Sequence, residues 1–246
     1  MSKTSGLGNR LFVGGYDISG DVGALSTLAT PRGEQNGTGI DKSANERIQL
    51  LVDGELSFDT FFNDATDQLH DVLSTLPTTN RQGMFLVSTT RGEPAFAMNA
   101  KQVNYDWNRA AEGTLTGSTQ LLLADGNPPV WGEAIAMKET IASAGDLTGH
   151  IDAGDAATTE GVVCFLQIFT LGSGTPVITL QDSSDTTDGD DGTWSTIGTF
   201  TINTARSAER LAVSGTIEKA LRIEASGTFT NLVVAAAVRR GTANDI

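Results

Sequence analysis

The sequence predicts a mainly β protein in two units: a β-sandwich flanked by one α-helix, then a second β-sandwich of Ig-like or jelly-roll-like type. Three observations carry this. The 246 residues include 28 glycines among many threonines, a composition in which Thr favours pleated strands and Gly permits the positive φ of tight turns. Short apolar–polar alternations recur between turn signals along most of the chain. One segment alone carries the 3.6-residue periodicity of an amphipathic helix.

In chain order, Arg10–Ile18 reads as the first strand region, with Gly14 and Gly15 as a turn or bulge. Residues 23–45 are polar and rich in turn formers, Thr30 to Gly33 and Gln35 to Gly39 among them, and are expected to form a long functional loop. Alternation returns over Arg47–Phe61. Ile48, Leu50 and Val52 precede Asp53 and Gly54, and Leu56 and Phe58 follow, so a hairpin turning at Asp53-Gly54 is expected. The helix is expected over Asp64–Leu76, capped by Asp64, with Leu69, Val72, Leu73 and Leu76 on one face and Pro77 as its stop. Met84–Ser88, Pro94–Ala100, Gln102–Asn108 and Thr114–Ala124 read as strands, and the polar face of the last predicts a sheet solvated on one side.

Asp125 to Pro129 form a hard turn, and a small, polar stretch follows. The predicted division is a first domain over 1–137, a linker over 138–159, a second domain over 160–240 and a tail over 241–246. Gly161–Thr170 is continuously apolar, as expected of a strand buried on both faces. Thr175–Leu180, Thr193–Ile202, Arg210–Ile217, Ala220–Ala225 and Asn231–Val238 follow at sandwich spacing. Within Leu221–Ala225 the charges of Arg222 and Glu224 are expected to face water.

Composition excludes several functions. The formal charge is -14, from 16 basic and 30 acidic residues, and would repel nucleic-acid phosphates. Each predicted half carries -7, yet no Lys or Arg falls between Lys138 and Arg206. No run approaches the roughly 18 apolar residues of a membrane helix. Residues 1–10 hold no apolar stretch, so no secretory signal is expected. The single cysteine, Cys164, lies in an apolar run without a histidine base nearby and reads as a core residue. His70 and His150 have no metal-ligand spacing. Asp182, Asp185, Asp188, Asp190 and Asp191 gather carboxylates as a calcium loop would, but the EF-hand glutamate position is Thr199; an exposed acidic hairpin accounts for them better. No nucleophile, phosphate-loop or cofactor motif occurs, so neither enzymatic activity nor a cofactor is expected.

Leu11–Val22, Phe61–Ala65, His70, Leu73–Thr79, Ala100–Val103 and Val130–Glu133, in that order, resemble the tail tube (major tail) proteins of long-tailed bacteriophages, those of actinobacteriophages especially. Leu180–Asp185 and Leu221–Phe229 resemble the sandwich appended to some of them. The resemblance implies a virion subunit folded and assembled in the host cytoplasm. It implies hexameric rings stacked into a conduit for genomic DNA, and contacts with terminator, tape-measure and tail-tip proteins. By the same resemblance, an arm over residues 1–9 and the 23–45 loop reach neighbouring subunits. Leu11, Phe12, Tyr16, Asp17, Arg32, Glu34, Lys42 and Arg47 become candidates for ring stacking. A conduit must not grip its cargo, so Asp53, Glu55 and Asp106 become candidates for an anionic lumen. The second domain would decorate the outside.

Two other readings stand beside this one. In the first, the chain is a tail-tip or baseplate protein, or a glycan-binding module with Trp107, Trp131 or Trp194 as stacking platforms. In the second, it is an acid-pair hydrolase, which needs two carboxyl groups at catalytic separation in a cleft.

Overall fold

A computed structural model describes residues 6–144, 149–152, 156–184 and 193–241. The chain starts as a hairpin of β1 (Arg10–Val13) and β2 (Tyr16–Asp17). Phe12 pairs with Asp17 and Val13 with Tyr16, leaving Gly14 and Gly15 as a two-residue turn. Their φ values of 59° and 85° are those of a type I′ turn, which the expected glycine pair supplies without strain. Gly15 has a second reason to be glycine. A Cβ there would sit 2.7 Å from the Ile168 carbonyl oxygen and 2.8 Å from the Arg206 Cα, both in the second domain.

The segment expected as a loop is a β-ribbon. β3 (Val22–Ala29) and β4 (Arg32–Asn36) run outward, and β5 (Arg47–Val52) and β6 (Glu55–Phe61) return. β3 pairs with β6, and β4 pairs with β5. Asp53-Gly54 is therefore not the tip of a hairpin but a break within one returning strand. Its partner break is at Thr30-Pro31, and the Asp53 amide donates to the Pro31 carbonyl at 2.8 Å. Two bulges conceal β3 from a period-two reading although Val22, Leu25 and Leu28 pack against the first core, and β4 is exposed along its whole length.

The only α-helix among the described residues is shorter than expected: α1, Leu69–Leu73. Gln68 occupies the cap position without a side-chain cap, and Asp64 does not cap it. The Leu69 amide instead donates 3.1 Å to Oδ2 of buried Asp21, whose other oxygen accepts from Asn63. A tertiary carboxylate thus fixes the helix start. Leu69, Val72 and Leu73 are buried as predicted, whereas Leu76 is exposed in a left-handed conformation.

β7 (Arg81–Leu86), β8 (Pro94–Gln102), β9 (Asp106–Arg109), β10 (Leu115–Leu123) and β11 (Val130–Ile141) complete the first half. One edge of β8 pairs with β7, which in turn pairs with β1; its other edge is shared end to end by β11 and β10. Leu56, Phe58, Phe96, Met98 and Leu121 close the first core under the helix.

The second half holds β12 (Ile151–Asp152), β13 (Val162–Thr170), β14 (Ser173–Ser183), β15 (Ser195–Thr199), β16 (Ser207–Val213), β17 (Ala220–Thr230) and β18 (Leu232–Arg240). β12, β17, β14 and β15 form one sheet, and β16, β13, β18 and β11 the other. Twenty buried residues between them, including Cys164, Leu166, Ile178, Ile223 and Val234, form the second core. β13 is buried along almost its whole length, as its apolar run predicts. Burial pushes the Cys164 thiol well above its ordinary pKa, as expected of a core residue rather than a nucleophile.

The expected boundary at 137/138 falls inside a strand. β11 pairs with β8 over Val130–Glu133 and with β18 over Glu133–Ile141, so one sheet of twelve strands runs through both halves. Two bulges in β11, around Ile135 and Lys138, hid this continuity from a period-two reading. Of the expected linker, residues 138–141 and 151–152 form strands. A third core spans the junction, with Phe12, Met84 and Leu86 on one side and Val163, Phe165, Phe169 and Ala235 on the other. Each fully buried aromatic or aliphatic side chain there is worth about 1.5–3 kcal/mol, so the halves are joined by a real hydrophobic interior.

Candidate functional site

Two surfaces stand out. The first is the outer part of the ribbon, β4 and β5, whose residues are almost all exposed. Ile48 and Leu50 share one face, at 52% and 47% exposure, and Leu51 points the other way at 89%. Gly37 and Gly33 lie beneath Ile48 and Leu50, where added Cβ atoms would meet those side chains at 2.8 and 3.2 Å. The glycines thus let the two apolar chains lie along the ribbon. Glu34 and Arg47 form an ion pair across it, and Lys42 lies 3.7 Å from Asp41 near the tip. Arg32, opposite Val52, sits at its base. A two-stranded ribbon is marginal in water alone, and unpaired edges with exposed Leu and Ile are a template for another chain.

The second surface is the solvated face of β6, β9 and β10. Buried Leu56, Phe58 and Thr60 alternate with outward Glu55, Ser57 and Asp59. Across the ladder stand Gln120, Ser118 and Thr116 on β10, and Asp106 pairs with Ser118 from β9. Glu55 and Asp106 therefore share one face, together with Asp59. Asp53 is exposed at the ribbon break instead. Ser57 and Gln120 donate to Glu55 at 2.5 and 2.7 Å and lower its pKa. Asp59 accepts from Ser26 at 2.7 Å, and Asp106 from Asn104 at 2.8 Å. Period-two alternation over Glu55–Asp59 could have identified Asp59.

Other expected residues lie elsewhere. Leu11 and Phe12 are buried in the first and junction cores, so their side chains cannot meet another ring. Asp17 is held by Lys138 at 2.6 Å, and Tyr16 lies between the guanidinium groups of Arg81 and Arg206 at 6.0 and 5.7 Å. Asp17 and Tyr16 thus serve the domain junction.

Asp185, Asp188, Asp190 and Asp191 lie outside the described residues. Asp182 is buried and accepts from the Glu218 amide at 2.9 Å. Among the described residues no group of three His, Cys, Asp or Glu is placed to hold a metal.

The tryptophans have separate surroundings. Trp107 joins Phe62, Tyr105 and His70 in an aromatic cluster, and Trp131 meets Phe96. Trp194 is covered by Arg222 at 4.2 Å. Arg222, expected to face water, is buried there and donates to Gln181 at 2.8 Å. Its alternation is as predicted, but the opposite face of the strand is roofed by the indole. No helix among the described residues is long and apolar enough to cross a membrane.

No known family profile and no curated protein matches the chain. Solved structures of similar extent do. The Dit protein of phage SPP1, described as a paradigm of the hub adsorption apparatus in phages infecting Gram-positive bacteria, is 12% identical. Its alignment covers 94% of this chain and 99% of that one, with a TM-score of 0.34. The phage P2 baseplate in its activated conformation with Ca is 10% identical, covers 96% and 99%, and has a TM-score of 0.37. The same baseplate with Sr is 10% identical, covers 95% and 98%, and scores 0.32.

Proposed function

We propose that this chain is a non-enzymatic structural subunit of a phage tail that works by self-association into a ring. The observation that carries this reading is the β4–β5 ribbon, which displays Ile48, Leu50 and Leu51 to solvent with both strand edges unpaired among the described residues. A neighbouring copy that accepted the ribbon would bury those side chains and complete the backbone pairing. The order of motifs resembling tail tube proteins supplies the context.

The ring belongs at the distal end of the tail, in a tip or baseplate, rather than along the shaft. Supporting this is the fusion of the two halves through β11 and the junction core, which makes the second domain a fixed fitting and not a tethered decoration. The acidic face of Glu55, Asp59 and Asp106 would line the passage and let DNA slide without adhesion. Negative-stain microscopy and sedimentation of the purified chain test the ring, and copy number per virion tests its position. Rings and a low copy number are expected. A chain that stays monomeric at high concentration and is missing from tails would overturn the proposal, and a high copy number would move the subunit to the shaft.

A further inference from the structure

The polar cavity at the domain junction is unused by the reading above. It has a volume of about 420 Å³ and is lined by Tyr16, Asn80, Arg81 and Gln82 from the first domain and, from the second, by Arg206 just before β16 and Arg210 on it. Three guanidinium groups meet here in a chain of net charge -14. Arg206 is paired with Asp67. Arg81 donates to the Val72 carbonyl at 3.4 Å, and neither it nor Arg210 forms a salt bridge among the described residues.

Unmet hydrogen-bonding capacity coincides with this excess charge. Gln82 is 3% exposed, and among the described residues neither its Nε2 nor its Oε1 has a partner. The Nε of Arg210 is likewise buried and without a partner among the described residues. Buried polar groups are nearly always satisfied, so a donor amide and a guanidinium left open beside one cavity point to something that fills it. Burial also holds the Arg210 guanidinium below its ordinary pKa, and attraction from Asp125 only partly opposes this. That carboxylate is itself engaged by Asn99 at 2.6 Å.

We propose that this cavity binds an oxyanion of the phosphate class, held by Arg81, Arg210 and the Gln82 amide. Two guanidinium charges without a salt bridge match a dianion, and their planar forks suit its oxygens. Because β7 and β16 face each other across the cavity, a bound anion would bridge the domains and stabilise the junction.

Calorimetry and thermal melting of the full chain, with inorganic phosphate against chloride at equal ionic strength, test this. Phosphate is expected to bind and to raise the melting temperature where chloride does not. Arg210→Gln should weaken binding by roughly tenfold or more. Gln82→Leu should also weaken it while leaving the phosphate-free chain at least as stable, so the test does not rest on the arginine variant folding. Competition by a short single-stranded oligonucleotide would identify the source as a phosphodiester backbone; no competition would identify a free anion. No shift beyond that of chloride, or both variants binding phosphate as the parent does, would show a cavity that holds water only and overturn the assignment.

Discussion

Lys138 Nζ lies 2.6 Å from Asp17 Oδ2, joining the bulge of β11 to the first hairpin across 121 residues of sequence. Lys138 sits at φ 67°, a left-handed conformation that a bulge tolerates and that turns its ammonium toward the hairpin and to within 5.4 Å of the Phe169 ring. The contact thus couples the connecting strand, the N-terminal hairpin and the second domain.

Lys138→Met should lower unfolding stability by about 1–2 kcal/mol at neutral pH, since it leaves a half-buried carboxylate without its cation. The pH dependence is the sharper signature. Burial alone would raise the Asp17 pKa, but hydrogen bonds from Lys138 and Ser19 outweigh it and hold the folded value below the ordinary 3.8. A carboxyl depressed on folding contributes stability that is complete above pH 3.8 and lost as pH falls through the folded value. Urea melts of parent and variant should therefore differ at neutral pH and converge in acid. A constant gap across that range would count against this coupling.

The same junction explains which parts of the fold were legible in the sequence. β13 announces itself because every residue from Val162 to Phe169 except Gln167 is apolar, and the Gly14-Gly15 turn because glycine takes two successive positive φ values without strain. β11 was divided at Lys138 because its two bulges break the alternation on which strand reading depends. β3 resembles a loop because two bulges interrupt the spacing of Val22, Leu25 and Leu28, and β4 because a free ribbon needs no apolar face. Leu11 and Phe12 illustrate a different limit: a short motif can be recognisable while its side chains serve the core. The junction cavity left no trace in the sequence, since Gln82 and Arg210 are 128 positions apart and converge only through the pairing of distant strands.

Gln167 is a second junction residue, and its replacement should also destabilise the fold. It is fully buried, accepts from the Gly15 amide at 2.8 Å and donates to the Gln82 carbonyl at 3.0 Å. Gln167→Leu leaves the Gly15 amide unsatisfied, at a cost of about 1–3 kcal/mol, while the Gln82 carbonyl keeps its bond from the Gly14 amide at 2.9 Å. A drop of roughly 1–3 kcal/mol in equilibrium denaturation, with one cooperative transition retained, is the expected outcome. A change within experimental error would mean that the hairpin docks by packing alone.

The ribbon should behave in the opposite way. Leu51 is 89% exposed and Leu50 47% exposed, so Leu50→Asp with Leu51→Asp should change thermal stability by only about 1 kcal/mol. Self-association should nonetheless be lost, as read by light scattering on a sizing column. A variant that assembles like the parent would remove the ribbon from the interface.

The acidic face allows a test of electrostatic function without disturbing the fold. Glu55, Asp59 and Asp106 project from paired strands into solvent, and their hydrogen bonds to Ser57, Gln120, Ser26 and Asn104 orient them outward. Replacing all three with Lys changes the local charge by six units while Leu56, Phe58 and Thr60 remain buried on the other side. The parent should show no affinity for duplex DNA. The variant should bind it with a logarithmic salt slope reduced by about 0.9 per phosphate engaged, measured by fluorescence anisotropy between low and moderate salt. If assembled in virions, the variant should slow genome release, because a passage that grips phosphates retards its cargo. Normal release from particles that contain the variant would show that this face does not line the passage.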